Sequence, residues 1–306
     1  GQFCPTWVWA QGNVYRGEFK KEEWLDNVAV NFNKKFGIHA ISAEASSEYR
    51  KLNKSAFWVY AKGIPTNDFH YDNIGATASR PYGGTESTYE DQALASVMGS
   101  ITYELLNKYV FSVNARSDGS SMVGNNNRWG FFPSVSFTWD LKKERLLAHL
   151  KPLSLLKLRS SLGQAGNLGG ISAYTTMNTA RQTGIVPIKS SPTGTLGMMK
   201  NNNPDLKWET KTTFNIGADV GFFDNRIMFT AEYYYSRTSD MLYAYEVPVP
   251  PFAYNTLLAN IGAMSNRGFE FGLSMQPISK KDMELNFNMN LSFQSNKLIS
   301  LSGEYK

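Results

Sequence analysis

The chain has 306 residues, of which 42% are hydrophobic and 14% aromatic, too apolar for intrinsic disorder and sufficient for a large folded unit. Its 31 Lys and Arg against 26 Asp and Glu leave a formal charge of +5 with no basic run, which excludes nucleic acid as a partner on composition. The single cysteine, Cys4, excludes an internal disulfide. No stretch approaches the ~18 uninterrupted apolar residues of a membrane-spanning helix, the longest, 94–103, being broken by Ser96, Gly99, Ser100 and Thr102.

Taken in chain order, the opening Gly1-Gln2-Phe3-Cys4-Pro5 has neither a charged leader nor an apolar core and passes straight into strand-like sequence, so the start reads as cut rather than native. Alternation of period two then predicts eleven strands, at 6–18, 24–35, 38–49, 92–104, 109–117, 131–141, 153–164, 209–222, 227–238, 265–276 and 284–296. The clearest is the last, where Leu285, Phe287, Met289, Leu291 and Phe293 alternate with Glu284, Asn286, Asn288, Asn290, Ser292 and Gln294. Short connections near 36–37, 105–108, 223–226 and 277–282, with a slightly longer one at 142–152, alternate with long ones at 50–91, 118–130, 165–208 and 239–264. That pattern predicts an all-β, antiparallel up-and-down sheet with two unlike rims.

Strands with one apolar face fit either a soluble sandwich or a transmembrane β-barrel. Sandwich strands run about 5–6 residues and tilted membrane strands about 9–11. Most segments here reach the longer value, and aromatics such as Trp139, Phe222, Phe223 and Tyr233 lie near strand ends, as in an interfacial girdle. The fold expected is a transmembrane β-barrel.

Four blocks carry a family resemblance. Residues 112–121 (SVNARSDGSS) with 126–134 (NNRWGFFPS) form the first, and 156–167 (LKLRSSLGQAGN), 203–210 (NPDLKWET) and 260–270 (NIGAMSNRGFE) are the other three. In order and spacing these are similar to the strand-to-loop signatures of the SusC/RagA type of TonB-dependent outer-membrane transporter, while the stretch before about residue 92 matches in texture only. The resemblance implies a bacterial outer-membrane location. It also implies import of large nutrients such as glycans or peptides, a SusD-like lipoprotein over the mouth, and energy from the TonB complex through an N-terminal region. Because plugged transporter barrels have about 22 strands, eleven are about half of one. Residues 1–306 are therefore expected to be a partial barrel domain, with the plug, the TonB box and the closing strand outside the chain. A passive porin-like barrel and a soluble carbohydrate-binding β-sandwich are the alternatives.

For chemistry, His39, His70 and His149 lie in unrelated contexts and no hydrolase, zinc or Walker signature occurs, so neither catalysis nor a cofactor is expected. The oxygen-rich stretches 68–73 and 201–205 lack calcium-loop spacing and read as turns, and no metal site is expected. Asp118-Gly119-Ser120-Ser121 reads as turn chemistry; Arg128 is expected to pair with an inward carboxylate and Trp129 to lie at the membrane interface. The polar row that includes Lys157, Arg159, Asp219, Glu232, Glu270 and Glu284 is explained by a wet or plugged interior. Substrate contacts are expected on loops, with Trp58, Tyr60, Tyr71 and Tyr82 of the 50–91 connection and Trp129 as the candidate residues for stacking on sugar rings or peptide side chains.

Overall fold

A computed structural model describes residues 12–66, 68, 70, 72–81, 83–188 and 191–301. Ten strands form one sheet in strict chain order: β1 (Gly12–Phe36), β2 (His39–Ile64), β3 (Thr85–Leu105), β4 (Tyr109–Ser120), β5 (Trp129–Asp140), β6 (Leu153–Asn167), β9 (Glu209–Phe222), β10 (Ile227–Glu246), β11 (Thr256–Lys280) and β12 (Met283–Ser300). A separate hairpin, β7 (Ala180–Ile188) with β8 (Ser191–Met198), interrupts the connection between β6 and β9. From β3 onward every adjacent pair in the sheet is antiparallel. The up-and-down order thus agrees with the sequence reading.

The chain divides into two compact units, one comprising residues up to Asp26 with Arg50–Ala93, the other Asn27–Tyr49 with Leu94 onward. In the second unit, register turns the alternation of single strands into a continuous surface. Ile101 pairs with Val113, Val113 with Val135, Val135 with Leu162 and Leu162 with Phe214. Further along, Ile216 pairs with Tyr233, Tyr233 with Phe269, and Phe269 with Phe293. Most of these side chains are exposed, as are Met289 and Leu291. A soluble protein rarely leaves a contiguous apolar patch of this extent in water, whereas a barrel wall presents one to lipid.

The first unit departs from the expected boundaries. The predicted strands at 6–18 and 24–35 are one strand from residue 12 onward, with 6–11 outside the described residues, and the 50–91 connection shrinks to 65–84 because β2 and β3 extend into it. The reason is charge. Lys20–Glu22 (2.7 Å), Lys21–Glu23 (3.1 Å), Arg50–Glu23 (2.5 Å), Lys51–Asp91 (3.3 Å) and Lys54–Glu90 (3.6 Å) pair within and between strands. Where charges occupy both faces, as over 20–23 and 50–54, a strand has no apolar period and reads as loop or turn. Likewise β10 and β11 run on to leave a connection of only 247–255 instead of 239–264.

Candidate functional site

Two features of the second unit have the density of interactions expected of a functional region: the polar face opposite the apolar row, and the rim where the long connections meet.

On the polar face, Thr138 pairs with Arg159, Arg159 with Gly217, Gly217 with Glu232, Glu232 with Glu270 and Glu270 with Ser292. Arg159 donates to both oxygens of Asp219, from Nε at 2.8 Å and Nη2 at 3.1 Å, and its Nη1 reaches Glu232 at 3.3 Å. It crosses β9 to do so. Gly217 lies beneath the guanidinium, where a Cβ would stand only 3.3 Å from Nη2, so glycine keeps that lane open. A shallow pocket of about 400 Å³, lined by Arg159, Thr230, Glu232, Glu270 and Asn290 among others, sits over this group. Two carboxylates, Asp219 and Glu232, share the Arg159 guanidinium and Glu270 lines the same pocket, so the wall is acidic here, and the ion pairs brace neighbouring strands.

At the rim, the four sequence blocks converge. Arg116 donates to both oxygens of Asp118 (2.7 and 2.9 Å), to Ser96 Oγ (2.9 Å) and toward Met98 Sδ (2.8 Å), tying β4 to β3. Beyond β4 the chain turns through Gly124, whose N–H donates to the Leu206 carbonyl at 3.0 Å. Asn127 donates to the Asp205 carbonyl at 3.0 Å and Trp208 Nε1 to the Arg128 carbonyl at 3.1 Å. Asn201 donates to the carbonyls of Tyr254 and Thr256, Asn203 to that of Leu258, and Asn260 exchanges two bonds with the backbone of Lys207. Under these polar clamps, Val123, Phe132, Ile171, Leu206 and Trp208 form a buried apolar cluster, with the Phe132 and Trp208 rings edge to face at 5.5 Å. The oxygen-rich stretch 201–205 is therefore a loop clamp, consistent with the turn reading, with the Asn201 and Asn203 side chains bonded to backbone groups.

Gly124 is where the fit is tightest. A Cβ there would fall onto the Pro204 carbonyl oxygen, backbone that cannot swing aside. Gly124→Ala should lower the urea midpoint of the intact protein by the equivalent of about 1–3 kcal/mol, as over-packing does. An unchanged midpoint would show that the two loops do not meet at this point.

Of the predicted site residues, the structure brings Trp58 and Tyr60 together. Trp58 and Tyr60 belong to strand β2 of the first unit and not to a loop; two positions apart, they share a face, half-buried, with Lys62 Nζ 5.8 Å from the centre of the Tyr60 ring. Gly17 stands opposite Trp58, where a Cβ would approach the Trp58 Cβ to 3.1 Å. Tyr71 and Tyr82 lie outside the described residues. Trp129 belongs to the second unit, on the same face as Phe131 and Val135, 59% exposed, its ring against Gly119, so it lies on the apolar surface and not on the polar wall. Arg128 donates to Asn125 Oδ1 at 2.8 Å instead of pairing with a carboxylate. The inward ion pairs belong to Arg116 and Arg159. Arg116 escaped notice as a functional residue, although its place in the alternation of β4, level with Asn114 and Asp118, marks the polar face.

Residues 6–305 match the family described as TonB dependent receptor-like, beta-barrel. The chain is 32% identical over 309 residues to TonB-dependent receptor P3 of Formosa agariphila, across 98% of this chain and 30% of that protein. It is 35% identical over 213 residues to TonB-dependent receptor SusC of Bacteroides thetaiotaomicron, across 69% of this chain and 21% of that one. In fold it is similar to the RagAB peptide transporter, with a TM-score of 0.84 at 21% identity over 95% of this chain and 32% of that chain. The chain thus spans about a third or less of the length of these relatives.

Proposed function

Because the chain belongs to the TonB-dependent receptor-like β-barrel family, a family of receptors and transporters of the bacterial outer membrane and not of enzymes, we propose that it forms wall and external loops of an importer of large nutrients. The observation that carries this is the register-continuous apolar row backed by an acidic, ion-paired polar face. Such a sheet has lipid on one side and a wet or plugged interior on the other. On this reading residues 1–306 are part of a barrel domain, and a plug and a TonB-contacting segment are supplied from outside them. The substrate is an oligosaccharide or a peptide, and a SusD-like lipoprotein covers the mouth. Similarity to SusC and to the RagAB fold supports the class of importer.

Energised import is tested in cells carrying the intact protein. Uptake of the labelled nutrient should collapse when a protonophore removes the energy that TonB transmits. Uptake that survives it would favour the passive, porin-like reading, and recovery of the intact protein in the soluble fraction without detergent would favour the sandwich.

Within this reading, Trp58, Tyr60, Tyr71 and Tyr82 are the aromatic contacts for substrate or lid, and Trp129 a rim contact. Stacking on an aromatic ring is worth about 0.5–1.5 kcal/mol each, so Trp58→Ala with Tyr60→Ala should weaken substrate capture or lid association about ten-fold. Unchanged uptake together with unchanged lid association would remove this pair from the site.

A further inference from the structure

The short-turn rim carries one connection longer than a tight turn, residues 141–152 between β5 and β6. Glu144 is its hub. Tyr109 Oη donates to Glu144 Oε1 at 2.7 Å, Trp139 Nε1 to the same oxygen at 3.2 Å, and Lys108 Nζ to Oε2 at 3.1 Å. Tyr109 and Trp139 are register partners with rings 6.0 Å apart, and two residues further along the same face the Phe111 and Phe137 rings lie 4.7 Å apart. The connection is therefore tied down over the end of the apolar row and not over the polar face.

From Glu144 the chain folds into a small strap. A single helical turn, Arg145–Ala148, is held by Lys142, whose Nζ donates to the carbonyls of Leu147 (3.0 Å), Ala148 (3.2 Å) and Leu150 (2.9 Å), while Lys143 pairs with Asp140 at 3.1 Å. These bonds fix a segment that presents Leu146, 88% exposed, and Leu150, also exposed, beside Arg145, His149 and Lys151. The only carboxylate within 141–152 is Glu144, already engaged by three donors. What the strap offers outward is thus leucine flanked by cations.

We propose that residues 141–152 are an interfacial lipid anchor: Leu146 and Leu150 enter the hydrocarbon edge of the phospholipid monolayer at the short-turn rim, while Arg145 and Lys151 meet headgroup phosphates. Lipid is the occupant because the strap continues the apolar row through Tyr109 and Trp139, aromatics of the kind that mark the membrane–water boundary, and because its charge complements phosphate. The anchor fixes the depth of the wall at β5 and β6. It rests on the reading of the apolar row as the lipid-facing surface.

The test uses the intact protein in a background with Cys4 and any further cysteine replaced by serine, reconstituted in phosphatidylethanolamine–phosphatidylglycerol vesicles, with an environment-sensitive dye on Leu146→Cys or, in a separate sample, on Phe111→Cys. Lipid carrying a nitroxide near the headgroup end of the acyl chain should quench the dye at 146 several-fold more strongly than aqueous iodide does. Stronger quenching by iodide places the strap in water and overturns the proposal. Protection from both quenchers means that protein covers it, which also overturns it. The dye at 111 separates the two levels of argument: quenching by nitroxide lipid at 111 but not at 146 sinks the anchor alone, and none at either position sinks the lipid-facing reading as well.

Discussion

Leu206→Ala should be among the most damaging single truncations in the chain, costing about 2–5 kcal/mol, the range for emptying a buried leucine site. Leu206 is 0% exposed and packs with Val123, Phe132, Ile171 and Trp208. A cavity costs most where its walls cannot collapse. Here the walls are loop backbones clamped by Asn127, Asn203, Asn260 and Trp208 Nε1, so they have little freedom to close the gap. The carbonyl of residue 206 still accepts from Gly124 in the variant, so the loss comes from the side chain alone. Because the knot lies on a rim, part of the effect appears as local opening before the strands unfold. Two measurements are therefore paired: the urea midpoint of the intact protein, and the rate of limited proteolysis within 168–208. Val249→Ala, at an exposed site, is the reference for both. Proteolysis of Leu206→Ala that matches this reference would mean that the cluster does not hold the loops.

The parts of this architecture that were legible from residues are those governed by neighbours in the chain. Strand β9 runs over Glu209–Phe222, the span its alternation predicts, and β12 has the faces read from 284–294, because a half-apolar strand announces its period locally. The extensions of β1, β2 and β3 were hidden because Arg50–Glu23, Lys51–Asp91 and Lys54–Glu90 pair their charges across strands, and pairing is not visible in one strand at a time. The same holds for the rim. Asn203 and Leu258 are 55 residues apart and Arg159 and Glu232 73 apart, so their meeting follows from register between strands, which composition does not encode. The motif blocks were recognisable as words, but that they grip one another is a property of the sheet. Trp129 shows the same limit: the Asn-Arg-Trp-Gly string looks like a loop, yet Trp129 opens β5 and takes its face from the alternation that follows.

Arginine at Met289 and arginine at Asn290 should have opposite consequences although the two positions are adjacent. Met289 pairs with Leu273, which pairs with Phe229, so it belongs to the apolar row and is 48% exposed there. Asn290 pairs with Gly272, beside Thr230, and lines the pocket that contains Glu232 and Glu270. Met289→Arg must place a guanidinium in hydrocarbon, at a cost of about 2–4 kcal/mol near the midplane of such a barrel, less toward the interfaces. Asn290→Arg places the same group on an acidic wall where carboxylates outnumber the single Arg159, so it should be neutral or slightly stabilising. A soluble sandwich would also object to Met289→Arg, because the apolar face would then be its core. Stability is therefore combined with topology. In the cysteine-free background, cysteines at Phe287, Met289 and Leu291 should resist a water-soluble maleimide and react with a lipid-phase reagent, and cysteine at Asn288 should show the reverse or, beneath a plug, react with neither. A sandwich core would be silent to both reagents at the apolar positions. Labelling from the lipid phase that fails to alternate along β12 would mean that this strand is not a membrane wall, and the importer reading would lose the observation that carries it.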